Sequence, residues 1–360
     1  MTPLRIVIAG GGTGGHLYPG IAVAREFLRR RPDSVITFAG TARGIEARVV
    51  PREGFELDVL RSAGLKGTSA RALVSGLSLL PLSGVDAWRI LSRRRPDLVI
   101  GVGGYSSGPV VALAASRGIP TLLLEQNAAP GFTNRTLSHV VSAAAVTFES
   151  TVGSFGRRGF VAGNPVRPEF FSERRGDAVN VPPKVLIFGG SQGAHAINVA
   201  GVEAAPQLAA HRGGLAITHQ TGERDLEFVR DGYRGAGLVA RVEPFLFAME
   251  REITSADLVV SRAGATTIAE LTAAGRPSVL IPLPTAAYDH QRKNAEVLRA
   301  AGAAQVIEQK DLTGERLAAK ISELLADTGA LGRMSEAAHR MAKPDAAGVI
   351  VDRALSLVKK

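Results

Sequence analysis

Residues 6–16 read IVIAGGGTGGH, an apolar run that ends in five glycines and a histidine. The run predicts a buried strand, and the apolar stretch at 21–28 predicts a helix directly after the glycines. Glycine lets the backbone turn tightly and approach a ligand closely, because no Cβ intervenes. The first N–H groups of such a helix attract a phosphate or an anionic transition state. His16 adds a titratable group beside this predicted anion site.

The composition is that of a folded protein with a basic first half. At 360 residues and 45% hydrophobic content, the chain is long enough for two globular domains. Residues 1–166 carry 19 Lys and Arg against 10 Asp and Glu. This excess predicts an anionic partner, which is a nucleic acid, a membrane surface or a phosphorylated substrate, or else only an Arg-rich solvated surface.

Other features of the sequence narrow the class of protein. The chain contains no cysteine, which excludes disulfides, thiolate chemistry and Cys-ligated zinc. No signal-peptide pattern opens it, and glycine and proline break the apolar-rich stretch at 73–85, so we expect a soluble cytoplasmic protein. No Asp-x-Asp, GxxxxGK[ST] or HExxH occurs, which argues against metal-bridged nucleotide chemistry.

Apolar runs typical of strands alternate with helical stretches along the whole chain. They lie at 5–9, 34–39, 55–60, 97–102, 121–125 and 143–148, then at 184–189, 215–219, 238–242, 257–261, 278–283 and 304–308. Strands separated by helices predict βαβ units and parallel sheets. The pattern restarts at 184 after a break near 163–167. We therefore predict an α/β protein with two tandem Rossmann-like domains whose sheets face each other across a cleft.

The first loop also satisfies the dinucleotide pattern G-x-G-x-x-G, at Gly10, Gly12 and Gly15. A NAD site needs a carboxylate at the end of the second strand to bind the ribose. Here the strand at 35–39 continues as Gly-Thr-Ala-Arg, without a carboxylate. This argues against NAD, while Arg43 leaves NADP open.

Further glycine-rich or polar segments follow other predicted strands. They are GVGGYSSGP at 101–109, EQN at 125–127, GGSQGA at 189–194, RAGATTIAE at 262–270 and DHQ at 289–291. Ligands of open α/β sheets bind beyond the carboxyl ends of the strands, so these segments are candidates to bind a phosphate or a sugar. The alternatives are tight turns and helix caps, with Thr266 and Asp289 as the capping residues.

Seven segments, taken together and in this order, resemble the MurG family of bacterial UDP-N-acetylglucosamine (UDP-GlcNAc) transferases. They are GGTGGHLYPG at 11–20, GVGGYSSGP at 101–109, EQNAAPGFTN at 125–134, GNPVR at 163–167, FGGSQGA at 188–194, RAGATTIAEL at 262–271 and DHQRKNA at 289–295. The resemblance spans nearly the whole chain and implies the GT-B glycosyltransferase fold. It implies inverting, metal-independent and cofactor-free transfer of GlcNAc from UDP-GlcNAc to the C4 hydroxyl of MurNAc in lipid I (undecaprenyl-pyrophosphoryl-MurNAc-pentapeptide), which forms lipid II for peptidoglycan.

The resemblance also implies roles for the domains and for individual residues. Residues 1–166 form an acceptor- and membrane-associating domain on which the helix at 345–360 packs, and residues 167–344 bind UDP-GlcNAc. In the first domain, the residues implied to contact substrate are Thr13, Gly14 and Gly15 (donor and acceptor phosphates) and Asn127 (donor GlcNAc). In the second domain, they are Arg167 and Ser191 (UDP), Leu246 (uracil, through its backbone), Ala265, Thr266 and Thr267 (diphosphate), Glu270 (ribose) and Gln291 or His290 (GlcNAc hydroxyls).

Such a reaction needs a base for the acceptor hydroxyl and stabilisation of the departing diphosphate. Without a metal, helix N-termini and Arg167 must supply that stabilisation. A positioned side chain must take the hydroxyl proton as the sugar is attacked from the opposite face. We take His16 as the first candidate for this base and Glu125 as the second.

A lipid acceptor also requires a surface that meets the membrane. Candidate apolar contacts are Leu73, Val74, Leu77, Leu79, Leu80, Leu82 and Trp88, flanked by Arg61, Lys66, Arg71, Arg89, Arg93, Arg94 and Arg95. Apolar side chains ringed by cations suit an anionic bilayer, although an ordinary helix also buries leucines. The resemblance implies peripheral binding to the anionic inner leaflet, at the cytoplasmic face of the bacterial membrane. It leaves room for other cell-wall synthesis proteins as partners and implies no nucleic acid.

Other functions would account for fewer of these sequence features. An oxidoreductase would bind NADP through the first loop, and a non-enzymatic protein would only sense a nucleotide. Within the same fold, the alternative is another UDP-sugar transferase with a different acceptor. Thermal stabilisation by UDP or UDP-GlcNAc, but not by NADP, separates the transferases from the oxidoreductase, because a ligand of the native state raises its stability.

Overall fold

The structure is a computed structural model that describes residues 3–62, 70–171, 180–190, 192–211 and 213–358, with only the backbone described at 70–80. The chain divides into two compact units. Unit 1 consists of Met1–Val166 and Lys343–Lys360, and unit 2 of Arg167–Ala342. Each contains a parallel sheet with helices between its strands, which confirms the prediction of two Rossmann-like α/β domains.

Unit 1 is built on a seven-stranded parallel sheet. Its strands are β1 (Arg5–Gly10), β2 (Val35–Gly40), β3 (Glu56–Val59), β4 (Leu98–Gly103), β5 (Thr121–Glu125), β6 (Ala143–Val146) and β7 (Gly159–Val161). Its α-helices are α1 (Gly14–Arg30), α2 (Glu46–Arg52), α3 (Ala70–Arg94), α4 (Ser107–Ser116), α5 (Phe132–Leu137) and, from the end of the chain, α13 (Ala346–Val358). The strand order is β3-β2-β1-β4-β5-β6-β7.

The core of unit 1 includes residues from both ends of the chain. The central strands are nearly continuous runs of Val, Ile, Leu and Ala, which is typical of parallel strands covered on both faces. One apolar cluster joins Ile8 of β1 and Phe27 of α1 with Ile350, Val351 and Ala354 of α13. The last helix therefore contributes directly to the core formed by the first strand.

Unit 2 is built on a six-stranded parallel sheet. Its strands are β8 (Lys184–Phe188), β9 (Ala216–Gln220), β10 (Ala240–Glu243), β11 (Leu258–Ser261), β12 (Ser278–Leu280) and β13 (Ala304–Val306). Its α-helices are α6 (His195–Ala209), α7 (Leu226–Gly235), α8 (Met249–Ser255), α9 (Ala265–Ala273), α10 (His290–Ala300), α11 (Gly314–Ala326) and α12 (Thr328–Met341). The strand order is β10-β9-β8-β11-β12-β13.

Each strand predicted from the sequence is present, and the differences concern ends and one short element. The strand β7 was not predicted, because its three residues are too few to show a period. Helix α1 begins inside the glycine loop at Gly14, well before the apolar stretch at 21–28. Among the described residues, no helix is both long and apolar enough to cross a membrane.

The order of the strands determines where a ligand can bind. In unit 1 the chain builds outward from β1 to one side and from β4 to the other, so the direction of winding changes between these two neighbours. In unit 2 the same change occurs between β8 and β11. Ligands of open α/β sheets bind at such switch points, outside the carboxyl ends of the strands. The predicted glycine loops therefore lie at the binding edge of each unit.

Candidate active site

In unit 1 the glycine loop after β1 packs against the loop after β4. The Gly11 N–H donates to the Gly103 carbonyl oxygen at 3.4 Å. A Cβ on Gly104 would lie 2.7 Å from the Gly11 carbonyl oxygen. Gly10, Gly11 and Gly12 have φ of +137°, +147° and +85°, a conformation that L side chains rarely adopt. Glycine is therefore required here both by the backbone conformation and by the close approach of the two loops.

His16 lies in the first turn of α1 and contacts the loop after β4. Its Nδ1 is 3.1 Å from Thr13 Oγ1, and a Cβ on Gly103 would lie 2.8 Å from its ring. Thr13 is the N-cap residue of α1, and Gly14 and Gly15 are the first two helical residues. No acidic residue stands in this first turn. The partly exposed imidazole is thus held beside the positive end of a helix, at the binding edge.

Glu125, the second candidate base, is buried at the end of β5 with 3% of its surface exposed. One carboxylate oxygen accepts from the Asn127 N–H (3.0 Å) and Nδ2 (3.4 Å), and the other from the Gly131 N–H (3.0 Å) and Asn134 Nδ2 (2.9 Å). Burial raises the pKa of Glu125, and these hydrogen bonds oppose that rise. Because protein donors occupy both oxygens, Glu125 is better suited to holding Asn127 in place than to accepting a substrate proton.

Glu46, the first residue of α2, belongs to this edge although the sequence did not reveal it. Only 1% of its surface is exposed. Its Oε2 accepts from the Gly12 N–H at 2.8 Å, and its Oε1 accepts from the Thr41 N–H at 2.9 Å and from Thr41 Oγ1 at 2.8 Å. Glu46 thus places a carboxylate at the end of β2, although the segment directly after the strand contains none. Protein donors take up this carboxylate, so it is not available to bind the ribose of NAD.

In unit 2 the glycine loop after β8 packs backbone to backbone against the loop after β9. A Cβ on Gly193 would collide with the Thr221 carbonyl, and one on Gly222 with the Gln192 carbonyl. Ser191 of this loop, predicted to approach UDP, lies outside the described residues.

Gln220, at the end of β9, joins this loop to the segment of Leu246. Its Nε2 donates to the Gly190 carbonyl at 2.8 Å, and its Oε1 accepts from the Leu246 N–H at 3.1 Å. The side chain is 1% exposed. Sequence reasoning missed this residue, because nothing in the pattern of β9 marks one of its polar residues as a bridge between two loops.

The N-terminus of α9 lies at the end of β11, on the other side of the switch point. Gly264 is its N-cap residue, and Ala265, Thr266 and Thr267 form the first turn without an acidic side chain. Thr266 is therefore inside the helix, and the alternative that it caps the helix is wrong. The first N–H groups of a helix have no intrahelical acceptor, so this turn can bind an anion.

Glu270, one turn further along α9, lies close to Arg167. Burial raises the pKa of Glu270 to about 7; the charge of Arg167 lowers it and that of Glu250 raises it. Arg167 Nη2 also pairs with Glu250 Oε2 at 3.2 Å, and its guanidinium lies 5.2 Å from the centre of the Phe170 ring. The structure therefore brings together the residues predicted for UDP and for its ribose.

Arg262, directly after β11, is a buried cation that sequence reasoning did not single out. It is 9% exposed. Its Nη1 donates to the carbonyls of Ile281 (3.1 Å) and Pro282 (3.2 Å), and its Nη2 donates to Gln309 Oε1 (2.6 Å). Burial lowers the pKa of Arg262, yet a guanidinium stays charged in proteins. Unit 2 thus carries a fixed positive charge at its binding edge.

His290 and Gln291 open α10 after two residues in left-handed conformation. Tyr288 and Asp289 have φ of +55° and +57°, a conformation that costs energy in residues other than glycine and is common at ligand sites. Asp289 stands at the N-cap position but makes no cap hydrogen bond and pairs with Arg292 instead. His290 Nδ1 lies 2.7 Å from the Ala287 carbonyl oxygen, and Gln291 Oε1 accepts from the Leu283 N–H at 3.0 Å. Both side chains are partly exposed, and both stay candidates for the sugar contact.

Comparison with known proteins finds two family models, each of which matches mainly one unit. The model of the family "Glycosyltransferase family 28 N-terminal domain" matches residues 6–146. The model of the family "Glycosyltransferase family 28 C-terminal domain" matches residues 184–350.

Named relatives match the chain over nearly its full length. A UDP-N-acetylglucosamine--N-acetylmuramyl-(pentapeptide) pyrophosphoryl-undecaprenol N-acetylglucosamine transferase of Anaeromyxobacter sp. (strain K) is 48% identical over 99% of this chain and 94% of its own. The protein of the same name from Geobacter metallireducens is 45% identical over 99% of this chain and 100% of its own. The crystal structure of Acinetobacter baumannii MurG superposes with a TM-score of 0.81 at 30% identity, over 98% of this chain and 100% of that one.

Proposed function

The chain belongs to glycosyltransferase family 28, and we propose that it transfers GlcNAc from UDP-GlcNAc to lipid I and so forms lipid II for peptidoglycan. The observation that carries this proposal is the identity of 48% with a transferase of that name, over 99% of the chain. Such similarity over nearly the whole chain supports the same donor and acceptor.

Unit 2 binds the donor in this proposal. The first turn of α9 (Ala265, Thr266 and Thr267) donates its N–H groups to the diphosphate. Glu270 accepts from the ribose hydroxyls. The Leu246 N–H is already used by Gln220, so the uracil contact falls to the Leu246 carbonyl.

The remaining unit 2 contacts concern the charge and the sugar of the donor. As UDP leaves, negative charge develops on the diphosphate, and the helix N-terminus with Arg167 and Arg262 stabilises it. Ser191 is proposed to complete the UDP contacts and Gln291 or His290 those of GlcNAc. This assignment supports a transfer that needs no metal, because fixed donors and cations supply the electrostatic stabilisation.

Unit 1 binds the acceptor and supplies the base. His16 accepts the proton of the C4 hydroxyl of MurNAc as that oxygen attacks the sugar from the face opposite UDP, which inverts the linkage. Its position beside the first turn of α1 supports this role, since Thr13, Gly14 and Gly15 can hold phosphate there. Glu125 is proposed to orient Asn127 toward the donor GlcNAc.

Transfer of radiolabelled GlcNAc from UDP-GlcNAc to a lipid I analogue tests the proposed function. We expect a labelled, lipid-soluble product, together with thermal stabilisation by UDP and none by NADP. Transfer to another acceptor but not to the lipid I analogue would indicate a different UDP-sugar transferase. Stabilisation by NADP alone would contradict the transferase proposal.

We also propose that unit 1 binds the membrane surface through the end of α3. Leu82, Val85 and Trp88 are 40%, 45% and 55% exposed, and the Arg117 guanidinium lies 5.6 Å from the Trp88 ring centre. Exposed apolar side chains beside cations favour an anionic bilayer. The side chains of Leu73, Val74, Leu77, Leu79, Leu80, Lys66 and Arg71 lie outside the described residues.

Several cations around α3 form ion pairs, so they are less suitable for a test of membrane binding than cations that are not neutralised in this way. Arg61 pairs with Asp86, and Arg93 and Arg94 pair with Asp58, so their charges are partly compensated. The double variant Trp88→Ala/Arg89→Glu should lower binding to phosphatidylglycerol vesicles about tenfold, since it removes an apolar contact and reverses one charge. Arg158→Glu, an exposed change elsewhere on unit 1, is the matched control. Equal binding by the double variant and the control would contradict this surface.

A further inference from the structure

The buried carboxylate of Glu46 holds the glycine loop of unit 1 from the side of β2. Its two oxygens accept three hydrogen bonds of 2.8 to 2.9 Å, from the N–H of Gly12 and from the N–H and hydroxyl of Thr41. On the opposite side, the Gly103 carbonyl accepts from Gly11. The loop is therefore fixed between a carboxylate and a neighbouring strand end.

Three glycines make room for this carboxylate. A Cβ on Gly11 would lie 2.6 Å from its Oε2, a Cβ on Gly40 would lie 2.7 Å from the Glu46 Cγ, and one on Gly44 would be closer still to the carboxylate. Gly40 and Gly44 have negative φ, so their backbone conformation does not require glycine. The space around Glu46 does require it at these positions, which points to a cavity shaped for this carboxylate.

The hydrogen bond to Gly12 leads directly to the candidate base. Gly12 precedes Thr13, the N-cap residue of α1, and Thr13 Oγ1 lies 3.1 Å from His16 Nδ1. Fixing the Gly12 peptide thus fixes the start of α1 and the hydroxyl that contacts the imidazole. We propose that Glu46 is a positioning residue for transfer, which acts through Gly12 and Thr13 to hold His16 at the acceptor hydroxyl. Glu46 has this role only if the chain catalyses the proposed transfer.

A carboxylate suits this position better than the amide of the same shape. Three donors converge on its two oxygens, and a glutamine would offer one oxygen and one NH₂ group. The NH₂ group would face the N–H of Gly12 or of Thr41, donor against donor. The buried N–H would then lack an acceptor, and the loop would move to find one.

The variant Glu46→Gln tests this role, with Glu53→Gln as the matched control on the same unit, since Glu53 pairs only with the exposed Arg25 among described residues. We expect Glu46→Gln to lower kcat about 100-fold, because a small misplacement of a reacting group has that effect. The KM for UDP-GlcNAc and the Kd for UDP should change less than about twofold, since unit 2 binds the donor. Glu53→Gln should retain the wild-type kcat.

A double variant separates positioning from general loss of structure. If Glu46 acts through His16, His16→Ala/Glu46→Gln should be about as slow as His16→Ala alone. Losses that multiply, or a Glu46→Gln variant with the wild-type kcat, would overturn the role. If Glu46→Gln does not fold, Thr41→Val removes one of the three donors to the carboxylate, together with the acceptor of the Gly44 N–H, and leaves the carboxylate itself. A kcat lowered about threefold then supports the role, and an unchanged kcat overturns it.

The same assays distinguish the two proposals. A wild-type chain that transfers no GlcNAc to the lipid I analogue contradicts the proposed function. Wild-type transfer combined with an unaffected Glu46→Gln variant contradicts only the role of Glu46.

Discussion

The glycine loop of unit 1 and that of unit 2 occupy the same position in their sheets, but different chemistry holds them. A buried carboxylate, Glu46, binds the first loop to the end of the neighbouring strand. An uncharged amide, Gln220, and direct backbone packing do so in the second. The loop of unit 1 is therefore held by a carboxylate, and the contacts that hold the loop of unit 2 involve no charged group.

The two binding edges also differ in their charged groups. The carboxylates of Glu46 and Glu125 are buried in unit 1, whereas unit 2 combines the buried guanidinium of Arg262 with the carboxyl of Glu270 beside Arg167. Yet residues 1–166 are the more basic part of the sequence, with 19 Lys and Arg against 10 Asp and Glu. Salt screens buried charges less than exposed ones, so Arg262 attracts a diphosphate more strongly than an exposed cation at the same distance does. This difference is consistent with the proposal that unit 2 binds the nucleotide and unit 1 accepts the proton.

The largest expected effect separates proton transfer from nucleotide binding. His16→Ala should lower kcat about 1000-fold, as expected for loss of a general base, and leave the Kd for UDP unchanged. Steady-state kinetics with a lipid I analogue and calorimetry with UDP measure the two quantities. His139→Ala, an exposed change on the same unit, is the control. A near-normal kcat in His16→Ala would remove His16 from this role.

The second effect concerns the buried cation of unit 2. Arg262→Gln should lower the free energy of unfolding by about 3 kcal/mol, because three acceptors lose their donor. It should also weaken UDP binding about tenfold, since the charge at the edge is lost. Denaturant unfolding and calorimetry measure the two changes. Arg262→Lys keeps the charge, so its UDP affinity should exceed that of Arg262→Gln; equal affinities would mean that charge at this edge does not matter.

The smallest expected effect is a pH dependence of the free energy of unfolding, caused by Glu270 in unit 2. The pKa of Glu270 is about 7 in the folded chain, against 4.5 ordinarily. The folded state therefore binds this proton more tightly, and stability is lost as the pH rises from 4.5 to 7. Glu270→Gln should raise the free energy of unfolding by about 2 kcal/mol at pH 8 and leave it unchanged at pH 4, as measured by denaturant unfolding.

The same titration should appear in nucleotide binding. Ribose hydroxyls favour the ionised carboxylate, so the wild-type affinity for UDP should fall as the pH drops below 7, by up to tenfold per unit. Glu270→Gln should bind UDP about tenfold more weakly at pH 8, with little dependence on pH. A wild-type affinity that stays constant from pH 8 to pH 5.5 would contradict the ribose contact.

Much of the fold and part of each site could be predicted from the sequence. Continuous apolar runs and glycines revealed the strands and the loops at their carboxyl ends, because these signals are local in the chain. Glu46 was missed because it contacts Gly12, 34 residues away, and only the fold brings the two together. The only trace of this contact in the sequence is the presence of Gly11, Gly40 and Gly44. The reason for these glycines becomes clear only when the structure shows the Glu46 carboxylate packed against them.

The roles of other polar residues could not be predicted, because they depend on burial and on neighbouring charges. Arg262 and Gln220 are polar residues at strand ends, and the sequence does not tell whether such a side chain faces the protein or a ligand. Glu125 was a candidate base on the same ground, whereas the structure shows four donors on its oxygens. The pKa of Glu270 likewise depends on burial and on the neighbouring Arg167, which is 103 positions away in the chain.

The position of α13 in the core of unit 1 has a consequence for synthesis in the cell. Ile350, Val351 and Ala354 pack in one cluster with Ile8 and Phe27, so the core of unit 1 needs residues that are made after the whole of unit 2. Unit 2, Arg167–Ala342, is contiguous and can complete its own core earlier. Although domains generally fold N-terminal first, we expect a chain that stops at Ala342 to contain a protease-resistant unit 2 and a protease-sensitive unit 1. The glycine loop of unit 1 then becomes fixed only after unit 2 has been made.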